Sequence, residues 1–125
     1  MFSLDASNDV HAHTALSDGF SDEIVGLTAA EYSDIAAGYV RADGKYKSYL
    51  YVQVPNGDIL ELHRLHPDTH WGPTGEVIKD ATKGTGLAFV YRDTKRESRL
   101  ALVYENKSHQ LAVWTRGTLY FLSRL

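Results

Sequence analysis

The stretch "HRLHPDTHW", His63 to Trp71, holds three histidines spaced H-x2-H-x3-H and closes on a tryptophan. Three imidazoles around an open fourth position would suit a catalytic zinc ion, and the protein would then be a His-based metallohydrolase. The same residues also suit a solvated connector around the Pro-Asp turn at Pro67, with His70 lining a pocket beside Trp71. The pair in "VHAHT", His11 and His13, lies on one face of a strand and could join a metal site, but no cysteine or nearby carboxylate completes it.

Other chemistry has little support. There is no G-x-S-x-G elbow, no H-E-x-x-H, no P-loop and no Gly-rich dinucleotide fingerprint. The acid pairs Asp5/Asp9 and Asp18/Asp22 sit at loop spacing, where acids make turns. Glu61 alone cannot supply the two carboxylates that face one bond in glycoside cleavage. The chain reads as a non-enzyme without cofactor or metal.

The elements that would position these residues follow from the apolar pattern. Ile35, Ala37 and Tyr39 alternate, as do Leu50, Val52 and Val54, then Leu87, Phe89 and Tyr91, then Leu100, Leu102 and Tyr104, then Leu111 and Val113. A period of two marks half-buried strands. The breaks "RADGK", "VPNGD", "WGPTG", "TKGTG" and "ENKSH" are turn chemistry. Many short strands at close spacing make an all-β protein. Phe89, Tyr91, Tyr39 and Tyr104 are expected in the core. Tyr49 and Tyr51 run out of phase with Leu50 and Val52, occupy the other face, and are candidates for a binding surface.

Laid against itself, the chain gives two copies of one unit, Glu23 to His63 and Glu76 to Trp114. Glu23-Ile24-Val25 aligns with Glu76-Val77-Ile78, Leu50 with Leu100, Asn56 with Asn106 and Leu60 with Leu111. "SDEIVGLTAAEYSD" could be a short helix by its caps, but its counterpart "KDATKGTG" holds two glycines, so the common element is a short outer strand plus a loop. Each copy is the size of a four-stranded propeller blade. An N-terminal hairpin, 1–20, and a C-terminal strand, 117–125, flank the copies. The expected architecture is one domain, 1–125, of propeller-like blades, with a β-sandwich or barrel as the alternative. In the second copy Trp114, Gly117 and Tyr120 stand where the first has histidines, which favours the connector reading of "HRLHPDTHW".

The copies resemble blades of the Aleuria-type fucose-binding propeller lectins of fungi and bacteria. That repeat carries an Arg on a strand, a Glu after a tight Asp/Gly turn, and a Trp at the end of the blade. "SYLYVQVPNGDILEL" matches the strand, the turn and the Glu, at Glu61. "HWGPTGEVIKDATKGTGLAFV" matches the Trp, at Trp71, and the loop into the next strand. "SRLALVYENKSHQLAVW" matches the Arg, at Arg99, and ends on Trp114. Tyr49 stands where the first copy should have the Arg, and Ala112 where the second should have the Glu. The resemblance implies a multivalent lectin for monosaccharide units such as fucose, with Tyr49, Tyr51, Glu61, Trp71, Arg99 and Trp114 as sugar-binding candidates. An aromatic ring suits the apolar face of a sugar, and a charged partner makes hydrogen bonds worth about 1.5–3 kcal/mol to its hydroxyls.

Composition bounds the partners. Hydrophobic residues make up 43% of 125, too many for a disordered chain. A net charge of −3, with the basic run "RDTKRESR" diluted by Asp93 and Glu97, argues against nucleic acid. No apolar run is long enough to insert in a membrane. No secretory leader is visible and there is no cysteine, so the expected location is cytoplasmic or released without a signal peptide. Two to three blades would leave exposed edges, so a homo-oligomer (dimer or trimer) closing a ring is expected. The alternative is a protein-interaction module of β-sandwich type that binds no sugar.

Overall fold

An alternating strand followed by a tight turn pairs with its own neighbour, and this chain repeats that step along its length. A computed structural model describes residues 2–16, 19–42, 45–65, 71–93, 98–115 and 118–121. Every regular element among them is a β-strand. β1 (Phe2–Leu4), β2 (Asp9–Leu16) and β3 (Gly19–Thr28) form a first antiparallel sheet. β4 (Ile35–Ala42), β5 (Lys45–Gln53), β6 (Ile59–Leu65) and β7 (Gly72–Ile78) form the second. β8 (Ala88–Asp93), β9 (Ser98–Glu105), β10 (Leu111–Thr115) and β11 (Thr118–Phe121) form the third. Each sheet is a meander whose strands lie in chain order, so the fold is all-β and built of propeller-like blades. No helix among the described residues is long and apolar enough to cross a membrane.

The second and third sheets are the same construction. Their hairpins β5–β6 and β9–β10 turn through Gly57 and His109, both at positive φ, with the N–H of each donating back to Val54 and Asn106 respectively. Asn8 holds the same place between β1 and β2, at φ 63°. The connectors into the sheets repeat as well. Ala30 and Thr82 donate their N–H to the carbonyls of Gln53 and Glu105, and the hydroxyls of Ser33 and Thr85 accept the N–H of those same residues. This register makes Ile35 equivalent to Leu87, Tyr51 to Val103, and Glu61 to Val113. Asn106 therefore matches Val54, and not Asn56. The hydrogen-bonded unit also starts later than the copies in the sequence: Glu76-Val77-Ile78 belong to the last strand of the second sheet, paired to β6.

Two core layers result. Between the first and second sheets lie Val10, Ala12, Val25, Ala29, Leu50, Val52 and Leu62. Between the second and third lie Tyr49, Tyr51, Ile59, Ile78, Leu100, Leu102, Tyr104 and Trp114, with Phe89 packed against them. Both faces of β5 are thus covered, and burial of each such side chain is worth about 1.5–3 kcal/mol. Tyr39 and Tyr91 depart from expectation: they are 59% and 36% exposed rather than core. Their rings rest on each other at 6.4 Å. Tyr39 faces the first gap, which is open at that point, and Tyr91 lies beyond the last residue of β8 that the core covers.

The connector 79–87 is tied to the third sheet by Asp80, whose Oδ1 accepts the Tyr104 hydroxyl at 2.7 Å. Burial, then this bond and the carboxylate charge, push the Tyr104 hydroxyl above its ordinary value of 10.0. An unfolded chain would ionise there first. The stability this group contributes is therefore complete below pH 10.0 and is lost as the pH rises through its higher folded value. Tyr104→Phe is expected to lose less stability than the parent between about pH 9 and about pH 11, measured by urea unfolding. Equal losses would show that the bond to Asp80 does not matter.

Candidate functional site

The two gaps between sheets are filled differently. In the second gap, Phe89 on β8 reaches across to the second sheet and lies against Gly38 and Tyr51. Tyr51 and Glu61 project from that sheet toward it. In the first gap the equivalent positions hold small residues: Ala37 where β8 has Phe89, and Ala12 where β6 has Glu61. The missing volume opens a cavity of about 430 Å³ between β2 and the second sheet. That is the size range of small-molecule sites.

Trp71, at the entrance to β7, forms one wall of the cavity, and Arg64 on β6 another. Gly72 pairs with His63, so the register brings Trp71 beside Arg64. The Arg64 guanidinium lies over the indole, 5.3 Å from its centre. Phe2 meets the same indole edge-on at 5.3 Å and fixes its plane. The Trp71 Nε1 and the Arg64 Nε are both buried without a hydrogen-bond partner among the described residues. His13 enters from β2, with its Nε2 2.8 Å from Ser3 Oγ. Ser48 and Tyr39 complete the polar lining. The site offers an aromatic platform, a cation, hydroxyls and an imidazole.

The structure separates the sequence candidates. Trp71 lines the cavity, and Tyr49 borders it only from β5, its side chain belonging to the second core layer. Tyr51, Glu61 and Trp114 lie together in the second core layer, where Tyr51 donates its hydroxyl to Glu61 Oε2 at 2.5 Å and meets Trp114 edge-on at 5.9 Å. Tyr51 is fully buried and Glu61 is 2% exposed, so the surface expected of the β5 tyrosines is instead packed against the third sheet. Arg99 lies in β9 opposite Arg92, and its side chain is outside the described ones. By turn register its place in β5 is held by Lys47, whose Nζ sits 5.4 Å from the centre of the Tyr49 ring.

Of the histidines, His63 lies near Tyr49, with ring centres 6.5 Å apart. His66 and His70 fall outside the described residues. His11 and His13 stack on one face of β2 at 6.1 Å. A carboxylate does reach this pair, contrary to expectation: Asp5 Oδ2 lies 2.8 Å from His11 Nε2, a contact the sequence hid because a turn folds Asp5 back. No group of three metal-ligating side chains occurs among the described residues. Arg64 is the functional candidate that sequence reasoning missed, and His13, read there only as a possible metal ligand, lines the cavity. Arg64 lies within "HRLHPDTHW" itself, two residues past Leu62 on the same face of the strand.

No family model and no curated protein matches this sequence. Among solved structures it is similar to a triple arginine-to-alanine mutant of AofleA from Arthrobotrys oligospora. The two share 17% identity over 98% of this chain and 38% of that one, with a TM-score of 0.71. That likeness establishes the fold. This chain spans about two fifths of AofleA, and at this identity the likeness says nothing of individual side chains.

Proposed function

We propose that the protein is a non-enzymatic lectin that holds single sugar units of glycans in the cavity between its first and second sheets. The observation that carries this reading is the Trp71 platform, locked by Phe2 and set beside hydrogen-bonding groups in a pocket of monosaccharide scale. The fold supports it: the chain shares the fold of AofleA, and its copies resemble blades of the Aleuria-type fucose-binding lectins. Fucose is the sugar that resemblance implies.

Multivalency would come from assembly. The outer face of the third sheet presents Ala88, Val90, Ala101, Val103, Leu111 and Val113, and Val90 is 48% exposed. By register these are the positions through which the second sheet packs on the third. A further copy of the chain, a dimer or trimer in all, would cover that face and multiply weak sites on one body.

A glycan array tests the reading, with light scattering on the eluted protein. Capture of glycans by an oligomer is the expected result. A protein that binds no glycan overturns the lectin, and a clean monomer overturns the assembly.

A further inference from the structure

The cavity carries a charge that fucose does not answer. Its described lining holds no Asp or Glu, while Arg64 contributes a permanent cation and His13 an imidazole. Where the Aleuria-type repeat sets a Glu beside its Arg, the Glu of this chain is spent elsewhere: Glu61 faces the other gap and accepts the Tyr51 hydroxyl. Arg64 has no ion pair with a described residue, and its Nε is buried without an acceptor. Its guanidinium lies over the indole face of Trp71. A half-buried guanidinium without a carboxylate among the described residues is held at a cost that an incoming anion would relieve.

We infer that the sugar unit this cavity selects carries an acidic substituent, a carboxylate or a sulfate ester, placed against Arg64 while its ring rests on Trp71. This rests on the lectin reading and narrows it. A guanidinium presents paired N–H donors whose geometry matches two oxygens of such a group, which a single hydroxyl cannot satisfy. Ser48, which shares the lining with Arg64, remains to hold a ring hydroxyl.

The test is competition by free sugars against an immobilised glycan the protein captures, using glucuronate against glucose, N-acetylneuraminate against N-acetylmannosamine, and sulfated against plain fucose. The acidic member of at least one pair is expected to compete about tenfold better, and that advantage to shrink as salt rises from about 0.05 to about 0.5 M. The carboxylate and sulfate pairs separately report which anion is meant. Arg64→Met, which keeps the stem over Trp71, is expected to erase the preference. If that variant fails to fold, the salt series on the parent protein decides alone. Equal competition by neutral and acidic members, or a preference that salt and Arg64→Met leave unchanged, overturns this inference and leaves the lectin standing. Absence of any captured glycan overturns both.

Discussion

Ala37→Phe is expected to give a folded protein that no longer captures sugar. The third sheet carries Phe89 at the equivalent position, and there the ring fills the gap between two sheets. At position 37 the same ring would occupy the cavity, since Ala37 lines it. No core contact is removed, so thermal stability should hold or rise while affinity falls by at least about a hundredfold, below detection on an array. Trp71→Ala should weaken capture as well, by roughly ten- to a hundredfold, because loss of a central aromatic anchor typically costs about 2 kcal/mol or more. The two variants differ in kind. Trp71→Ala also removes the partner of Phe2 and so destabilises, whereas Ala37→Phe only plugs. Undiminished capture by a folded Ala37→Phe protein would place the sugar site elsewhere.

Gly38→Ala should cost stability with the opposite logic. A Cβ on Gly38 would fall within the Phe89 ring, whose Cε1, Cδ1 and Cζ are the nearest atoms. Phe89 cannot swing aside freely because Tyr51, on the same sheet as Gly38, lies beside it, ring centres 6.2 Å apart. Overpacking of this type costs about 1–3 kcal/mol, which chemical unfolding would read directly. Phe89→Leu in the same chain should recover part of the loss by removing the ring that the methyl group meets. No loss in Gly38→Ala would mean that the second and third sheets do not touch through this pair.

How much of this was legible in the sequence depends on what each step needed to know. Alternation along β5, β6, β8 and β9 is local, so strands and all-β class could be read directly. Which face a strand buries is not local. Tyr49 and Tyr51 looked like surface because Leu50 and Val52 already supplied a core face, and only the third sheet shows that β5 is covered twice. The register of the repeat misled through identical letters. Asn56 and Asn106 invite alignment, yet Asn106 Oδ1 caps both Ser108 and Gln110 while Asn56 Oδ1 caps Asp58, because Asn106 stands earlier in its turn. Correcting that offset puts Lys47, not Tyr49, in the place of Arg99. Arg64 escaped because the histidines around it carry the louder chemical signal, and its partner Trp71 meets it only across the β6–β7 pairing.

The left-handed bend at Asn8, Gly57 and His109 and the matching connectors hold each sheet at a fixed pitch whatever its faces carry. Frame and lining are consequently inherited separately. Phe89 fills one gap, and Ala37 leaves the other open. Selection could therefore retune such an array berth by berth, keeping some sealed for rigidity and others open for cargo of different charge, without renegotiating the scaffold.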